Sequence, residues 1–289
     1  MYEKVLVPFD FSADSRHAIA HLTHIPGLSR VVLLHVIYTK YPKSDTVTMD
    51  PSADYARLRL EEYARSIDWQ GISVRTRIEA ISGGDISAVV NRVATEESAS
   101  LVVMGKRGMG IIETLLIGSV ASEVLRYGDR DLLLVHAPRS QKSDTQEPLE
   151  VPPLFSHLLV CTDFSAPDIV ALCKEELPFA SRVTLLHVVS TYDSGEGGHL
   201  NSSDAWTRLK ALRDEYSSLR IPVRATVCEG DPAEEIIRHA RENDVSLIVM
   251  KSAGKRGFIK NFLGSTTMNV TRNADIPVLV LKRIEPMTR

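Results

Sequence analysis

Cysteine is scarce in this chain, and its placement excludes several classes of protein. The 289 residues include three cysteines, Cys161, Cys173 and Cys228, all in the second half and without a Cys-x-x-Cys spacing. An odd number so arranged argues against a disulfide framework and against a zinc site. Because reduced thiols are typical of the cytoplasm, we expect a cytoplasmic protein.

Long apolar runs and an excess of basic charge are also missing. No apolar run reaches the about 18 residues needed to cross a membrane, and the first residues lead into a strand-like segment instead of a signal peptide. The net charge is −3, from 34 Lys and Arg against 37 Asp and Glu. That balance gives no general attraction to nucleic acid. We therefore expect neither a membrane nor a nucleic-acid partner.

An internal repeat is the strongest signal in the chain. VPFDFS at residues 7–12 recurs as VCTDFS at 160–165, LLHV at 33–36 recurs at 185–188, and GS at 118–119 recurs at 264–265. The matches keep their order along the chain, which indicates a duplicated domain. We place the two domains at residues 1–137 and 154–289, joined by a proline-bearing linker at 138–153.

Short apolar or β-branched runs alternate with helical patterns in each copy. In the first copy the strand-like runs are Val5–Val7, Val31–Val36, Val74–Ile78, Leu101–Met104 and Leu132–Val135. Continuously apolar runs are typical of parallel strands covered on both faces. Ser12 is positioned to cap a helix that runs toward Ile25. The alternation predicts two tandem, doubly wound α/β domains, each built on a five-stranded parallel sheet.

A glycine-spaced loop follows the fourth strand-like run of the first copy. Residues 105–119 read Gly-x2-Gly-x9-Gly-Ser, with glycines at Gly105, Gly108 and Gly118 before Ser119. Glycine lets a backbone approach a ligand closely, and a helix that begins at Ser119 offers free amides and a positive dipole end to a phosphate. Open α/β sheets bind ligands at the carboxyl ends of their strands. The spacing at this position therefore favours a phosphate-binding loop over a simple chain turn.

Other polar residues near the strand ends support two interpretations each. Asp10 and its repeat Asp163 follow the first strand of each copy, and the recurrence favours ligand contact over a role at the helix start. His35 ends the second strand, and we interpret it as a structural histidine. Lys106 and Arg107 either add charge to the loop or form a solvated surface pair.

The loop, the VPFD segment at 7–10 and the LLHV segment at 33–36 resemble the universal stress protein family in its tandem two-domain form. The resemblance covers nearly the whole chain and implies Rossmann-like domains with strand order 3-2-1-4-5. It also implies a site for ATP, ADP or AMP, in some members with a divalent cation such as Mg²⁺. The nucleotide-binding residues that it implies are Pro8, Asp10, Val36, Met104, Gly105, Gly108, Gly118, Ser119 and Val120. A plain core role for Met104 is the alternative.

The second copy departs from this pattern, because Lys251 replaces the first glycine of the loop. The corresponding site residues are Asp163, Val188, Met250, Gly254, Gly264, Ser265 and Thr266. Lys251 either reaches a phosphate or is a surface lysine on a degenerate site. We expect weaker nucleotide occupancy in this copy.

These features favour a nucleotide-binding regulatory or stress-response module over an enzyme, and we assign no catalytic residue and no metal-binding side chain. A slow ATPase or phosphotransferase is the alternative, and it would need a residue near the γ-phosphate such as Asp85, Glu113 or His35. A structural dimer that uses no nucleotide is the third possibility. The resemblance further implies that domains pair through their fifth strands. We therefore expect a homodimer, with room for an unidentified protein partner.

Overall fold

The computed structural model describes residues 2–39, 51–108, 117–137, 151–190, 201–216, 221–252 and 263–282 of the chain. The chain divides into two units, Tyr2–Val151 and Pro152–Arg289. Two of the residues discussed above, Glu113 and Gly254, lie outside the described ranges, as do residues 138–150 of the predicted linker.

The first unit alternates strands and helices in the predicted order. Its elements are β1 (Lys4–Pro8), α1 (Ala13–Ala20), β2 (Arg30–Tyr38), α2 (Pro51–Arg65), β3 (Ser73–Ile81), α3 (Ile86–Glu96), β4 (Leu101–Gly105), α4 (Ser119–Tyr127) and β5 (Asp131–Val135). Its strands pair in parallel in the order β3-β2-β1-β4-β5. The predicted topology of this half is confirmed.

The second unit repeats the same architecture. Its elements are β6 (Leu158–Cys161), α5 (Ile169–Leu172), β7 (Val183–Ser190), α6 (Ser202–Glu215), β8 (Val223–Gly230), α7 (Pro232–Glu242), β9 (Leu247–Lys251), α8 (Ser265–Asn273) and β10 (Val278–Leu281). These strands are also parallel, in the order β8-β7-β6-β9-β10. The duplication read from the sequence is therefore a duplication of the fold.

The burial of each strand follows its sequence pattern. All five residues of β4 and all five of β5 are buried, as expected for apolar strands covered on both faces. The outer strand β3 alternates charged and apolar residues and is only partly buried. Within the described ranges, no helix is both long enough and apolar enough to cross a bilayer.

Helix α1 is shorter than the sequence predicts. Ser12 caps it, as expected, but the helix ends at Ala20 and a 3₁₀ turn, Leu22–His24, follows. Pro26 accounts for the end of the 3₁₀ turn at His24, because a proline disfavours the helical region for the residue before it. That residue, Ile25, is extended, with ψ 113°.

Candidate functional site

The strand ends of the first half place the residues predicted from the sequence at one edge of the sheet. Pro8 ends β1 and pairs in register with Leu34 of β2, two residues before Val36. Met104 and Gly105 end β4 and are buried. Asp10 follows β1 and is partly exposed. Because ligands of open α/β sheets bind at this carboxyl edge, the position is suited to a binding site.

The glycine-spaced loop is closed at its base by backbone hydrogen bonds. The Lys106 amide donates to the Val135 carbonyl (2.8 Å), and the Gly118 amide donates to the Lys106 carbonyl (2.8 Å). The second half has the same closure, since Ser252 donates to Leu281 (2.9 Å) and Gly264 donates to Ser252 (2.8 Å). Each loop therefore leaves and re-enters the fold at one point, beside the start of the following helix.

Among the residues that the structure describes, no side chain caps the helix that follows the loop in either half. Gly118 is the N-cap of α4, and Gly264 is the N-cap of α8. At other helices a side chain accepts from the first-turn amides, as Ser12 does in α1, Asp85 in α3 and Asp231 in α7. First-turn amides have no acceptor within their own helix. The α4 terminus therefore presents amides and a positive dipole end to an anion.

The turn between β1 and α1 is strained and lies against the loop. Asp10 Oδ1 accepts from the Ser12 amide (3.0 Å), and Phe11 between them has the left-handed φ of 63°. A Cβ at Gly108 would lie 2.6 Å from Asp10 Oδ2, so the loop backbone packs directly against this carboxylate. Phe164 has a φ of 58° at the same place in the second half. Strain of this kind persists where the surrounding structure enforces it, and functional sites are common among such places.

Gly105 has a structural reason to be glycine that the sequence did not reveal. A Cβ there would lie 2.7 Å from both the carbonyl carbon and the Cβ of Asp14, and 2.9 Å from the Ser15 amide nitrogen. The end of β4 therefore packs against the backbone of the first turn of α1. This contact requires glycine whether or not a ligand approaches.

A buried ionic cluster anchors the start of the loop. The Asp14 carboxylate accepts from the backbone amides of Arg107 (3.0 Å) and Ala137 (3.1 Å) and from His136 Nδ1 (3.1 Å). The Arg107 guanidinium also contacts the His136 imidazole at 2.8 Å. Burial opposes ionisation of Asp14, but the hydrogen bonds from His136 and Ala137 and the charge of Arg107 outweigh it and lower its pKa. The carboxylate is therefore ionised at neutral pH.

This cluster was only partly visible in the sequence. Arg107 was named beside the loop, whereas Asp14 and His136 were missed. The available signal was that His136 directly follows the fifth strand, the same kind of position that singled out Asp10. The alternative of a solvated pair is wrong, because Lys106 is 5% exposed and the Arg107 side chain 16% exposed.

His35 is a structural histidine, as predicted. Its Nδ1 is hydrogen-bonded to the Phe9 carbonyl (2.7 Å), and the repeat residue His187 makes the same bond to the Thr162 carbonyl (2.8 Å). Each histidine therefore joins the residue after the first strand to the interior of the second strand. The prediction that His35 ends its strand is wrong, because β2 continues in register with β3 as far as Tyr38.

The second half places Lys251 where neither predicted alternative put it. Its ammonium donates to the Ser165 carbonyl (3.0 Å), the Ser165 hydroxyl (2.6 Å) and the Pro167 carbonyl (2.9 Å). The lysine side chain therefore points toward the turn between β6 and α5 and is bonded to it. The other described residues of the expected second site lie at equivalent positions: Asp163 after β6, Val188 in β7, Met250 in β9, and Gly264, Ser265 and Thr266 at the start of α8.

The part of the chain that the structure describes contains no cluster of side chains suited to bind a metal ion. No three His, Cys, Asp or Glu side chains are grouped there so that they could hold one.

Known proteins are similar to this chain in sequence and in fold. The model of the universal stress protein family matches residues 1–136 and 154–282. A universal stress protein of Mycolicibacterium smegmatis is 25% identical over 303 residues, covering 96% of each chain. Another, from Methanocaldococcus jannaschii, is 30% identical over 158 residues, which are 45% of this chain and 96% of that protein. The crystal structure of a universal stress protein from Archaeoglobus fulgidus gives a TM-score of 0.70 at 24% identity and covers 97% of this chain and 96% of its own. The family model matches both halves, and each half has the strand order 3-2-1-4-5, so the chain belongs to the universal stress protein family in its tandem two-domain form.

Proposed function

We propose that the first half of this chain binds an adenine nucleotide, ATP, ADP or AMP, and that the chain acts as a regulatory stress-response module. The observation that supports this proposal most directly is the N-terminus of α4, where the N-cap is glycine and backbone hydrogen bonds close the loop at its base. Family membership supports adenine as the base. In the proposed complex the phosphates bind the amides that follow Gly118, with the Ser119 hydroxyl beside them.

The charge around the loop does not oppose an anion. The Asp14 carboxylate accepts from the Arg107 amide (3.0 Å) and lies 3.7 Å from the Arg107 Nε, so its negative charge is paired within the protein. A phosphate at α4 would therefore be held by the helix amides. The proposed base and ribose contacts are those that the resemblance assigns to Asp10, Val36, Met104 and Gly105.

The α4 terminus offers a direct test. Gly118 has an extended conformation (φ −72°, ψ 157°) that any residue adopts. In Gly118→Asp, the new carboxylate would cap the helix, occupy the amides and repel a phosphate. Aspartate is a favourable N-cap, so the helix should keep its stability. We expect ATP affinity, measured by isothermal titration on ligand-free protein, to fall at least about tenfold, or about 1.4 kcal/mol.

Gly264→Asp, the equivalent change in the second half, is the matched control and should leave first-half binding unchanged. Equal affinity of wild type and Gly118→Asp would contradict the proposal, as would a wild type that binds no adenine nucleotide. Phosphate release measured on the same samples separates the alternatives. Binding without turnover supports a binding module, whereas turnover lost in Gly118→Asp supports a slow ATPase.

The proposal includes a cytoplasmic homodimer with a protein partner that responds to the bound nucleotide. The cysteines are free, which fits a reducing compartment. Light scattering of the purified chain, with and without ATP, checks the dimer: a monomer mass under both conditions would exclude it.

A further inference from the structure

Lys251 has no donor left for a ligand. An ammonium has three N–H donors, and three acceptors surround this one: the Ser165 carbonyl, the Ser165 hydroxyl and the Pro167 carbonyl, at 3.0, 2.6 and 2.9 Å. The side chain is half-buried, and its burial lowers the pKa of the ammonium. A phosphate could recruit this lysine only by breaking bonds within the protein.

The lysine side chain also takes the place of a helical turn. In the first half, the residue at the end of β4 is Gly105, which packs against Asp14 and Ser15 in the first turn of α1. In the second half, Lys251 ends β9, and helix α5 begins only after its N-cap Asp168. Ser165 is the repeat equivalent of Ser12, and relative to these two residues α5 starts three residues later than α1 does.

The backbone bonds show this exchange directly. In the first half the Ser12 carbonyl accepts from the Arg16 amide (3.0 Å), as in a regular helix. In the second half the Ser165 carbonyl accepts from the Lys251 ammonium instead. The lysine therefore replaces the helical hydrogen bond and joins the β6–α5 turn to the end of β9.

Those two elements are the counterparts of the ones that flank the proposed nucleotide in the first half. The turn contains Asp163, the repeat of Asp10, and β9 ends with Met250 and Lys251, the repeats of Met104 and Gly105. The lysine bonds tie these two elements together, so a nucleotide that enters between them has to break those bonds. It would also approach the carboxylates of Asp163 and Asp168, which then lose the nearby ammonium.

We propose that Lys251 closes the second half to nucleotides, so that each chain takes one adenine nucleotide, in the first half. This inference rests on the proposed function. It assigns Lys251 a role that goes beyond a lost glycine, because the side chain holds the closed arrangement through three hydrogen bonds.

Counting sites by equilibrium dialysis of labelled ATP against ligand-free, full-length protein tests the inference. We expect one site per chain in the wild type, and in Gly118→Asp a site at least about tenfold weaker. Lys251→Gly should raise the number of sites to two, and in the double variant Gly118→Asp/Lys251→Gly the tighter site should be the one in the second half. Lys174→Gly removes an exposed lysine from the same half, at a turn, and should stay at one.

The possible outcomes separate the two proposals. Two sites in the wild type would overturn the closure and leave the proposed function intact, whereas no site in the wild type would overturn both. A folded Lys251→Gly that still binds one nucleotide would overturn the role of Lys251. If that variant fails to fold, hydrogen exchange on the wild type decides: ATP should protect the β1–α1 turn and leave the β6–α5 turn unchanged, and equal protection of both would refute the closure.

Discussion

Asp14 and His136 form a partly buried hydrogen-bonded pair across 122 residues of sequence, with His136 Nδ1 3.1 Å from Asp14 Oδ2. Asp14 lies in the first turn of α1, and His136 follows β5 directly. The same carboxylate accepts from the amides of Arg107 and Ala137. One side chain therefore fixes the positions of a helix start, a strand end and the first residues of the loop.

Replacing Asp14 with alanine should destabilise the first half and weaken nucleotide binding. The change leaves two buried amides and an imidazole without their acceptor, and hydrogen bonds to a charged group contribute about 1.5–3 kcal/mol each. We expect the free energy of unfolding to fall by about 2–4 kcal/mol. The loop that presents Arg107 would lose its anchor, so ATP affinity should fall as well.

The two tryptophans allow this effect to be assigned to one half. Trp69 lies in the first half and Trp206 in the second. In a Trp206→Phe background, urea unfolding followed by fluorescence therefore reports the first half alone. Asp129→Ala, which changes an exposed carboxylate of the same half, is the control. Equal unfolding midpoints for Asp14→Ala and this control would show that Asp14 anchors nothing.

Gly105→Ala should destabilise the first half even without a ligand. The added Cβ would lie 2.7 Å from the carbonyl carbon of Asp14, and backbone has to move to admit it. Overpacking of this kind typically costs about 1–3 kcal/mol. Gly83→Ala is the matched control, because a Cβ there meets nothing within 4 Å. If both variants unfold at the same urea concentration as the wild type, the close contact between β4 and α1 is wrong.

The strands could be predicted because each carries its own signal, whereas their order 3-2-1-4-5 came from the family resemblance. The apolar runs of β4 and β5 can be recognised from the sequence alone, and the repeat shows the pattern of each element a second time. Strand ends and glycine spacing likewise located Asp10 and Gly118, since those signals are local.

The ionic contacts at the site could not be predicted in the same way. Asp14 and His136 are distant in sequence, and their meeting depends on how α1 packs against β4 and β5. The direction of the Lys251 side chain is equally a product of packing: the sequence shows that a glycine is lost, but not that the ammonium turns inward to Ser165. Tertiary geometry decides both, and no local pattern records it.

Three histidines lie close together at the end of α1. The ring centroids of His17 and His21 are 4.9 Å apart, and those of His21 and His24 are 6.2 Å apart. Within the described residues, the buried Nδ1 atoms of all three have no hydrogen-bond partner. Burial and the charges of the two neighbouring histidines lower the pKa of His21 to about 3. Burial also lowers the pKa of His17, which the Asp14 charge opposes, and of His24.

The first half should therefore lose stability as the pH falls from 7 to 5. Between the folded pKa of about 3 and the ordinary histidine pKa of 6.5, the unfolded chain binds the proton on His21 and the folded chain does not. Stability therefore rises with pH in this window and is lost on acidification, by about 2 kcal/mol for this group alone. Urea unfolding of the Trp206→Phe protein, followed through Trp69, should show this loss. His21→Leu should flatten the profile by a similar amount, whereas His239→Gln, in the second half, should leave it unchanged. A His21→Leu profile as steep as that of the parent would mean that the buried imidazole does not set the acid response.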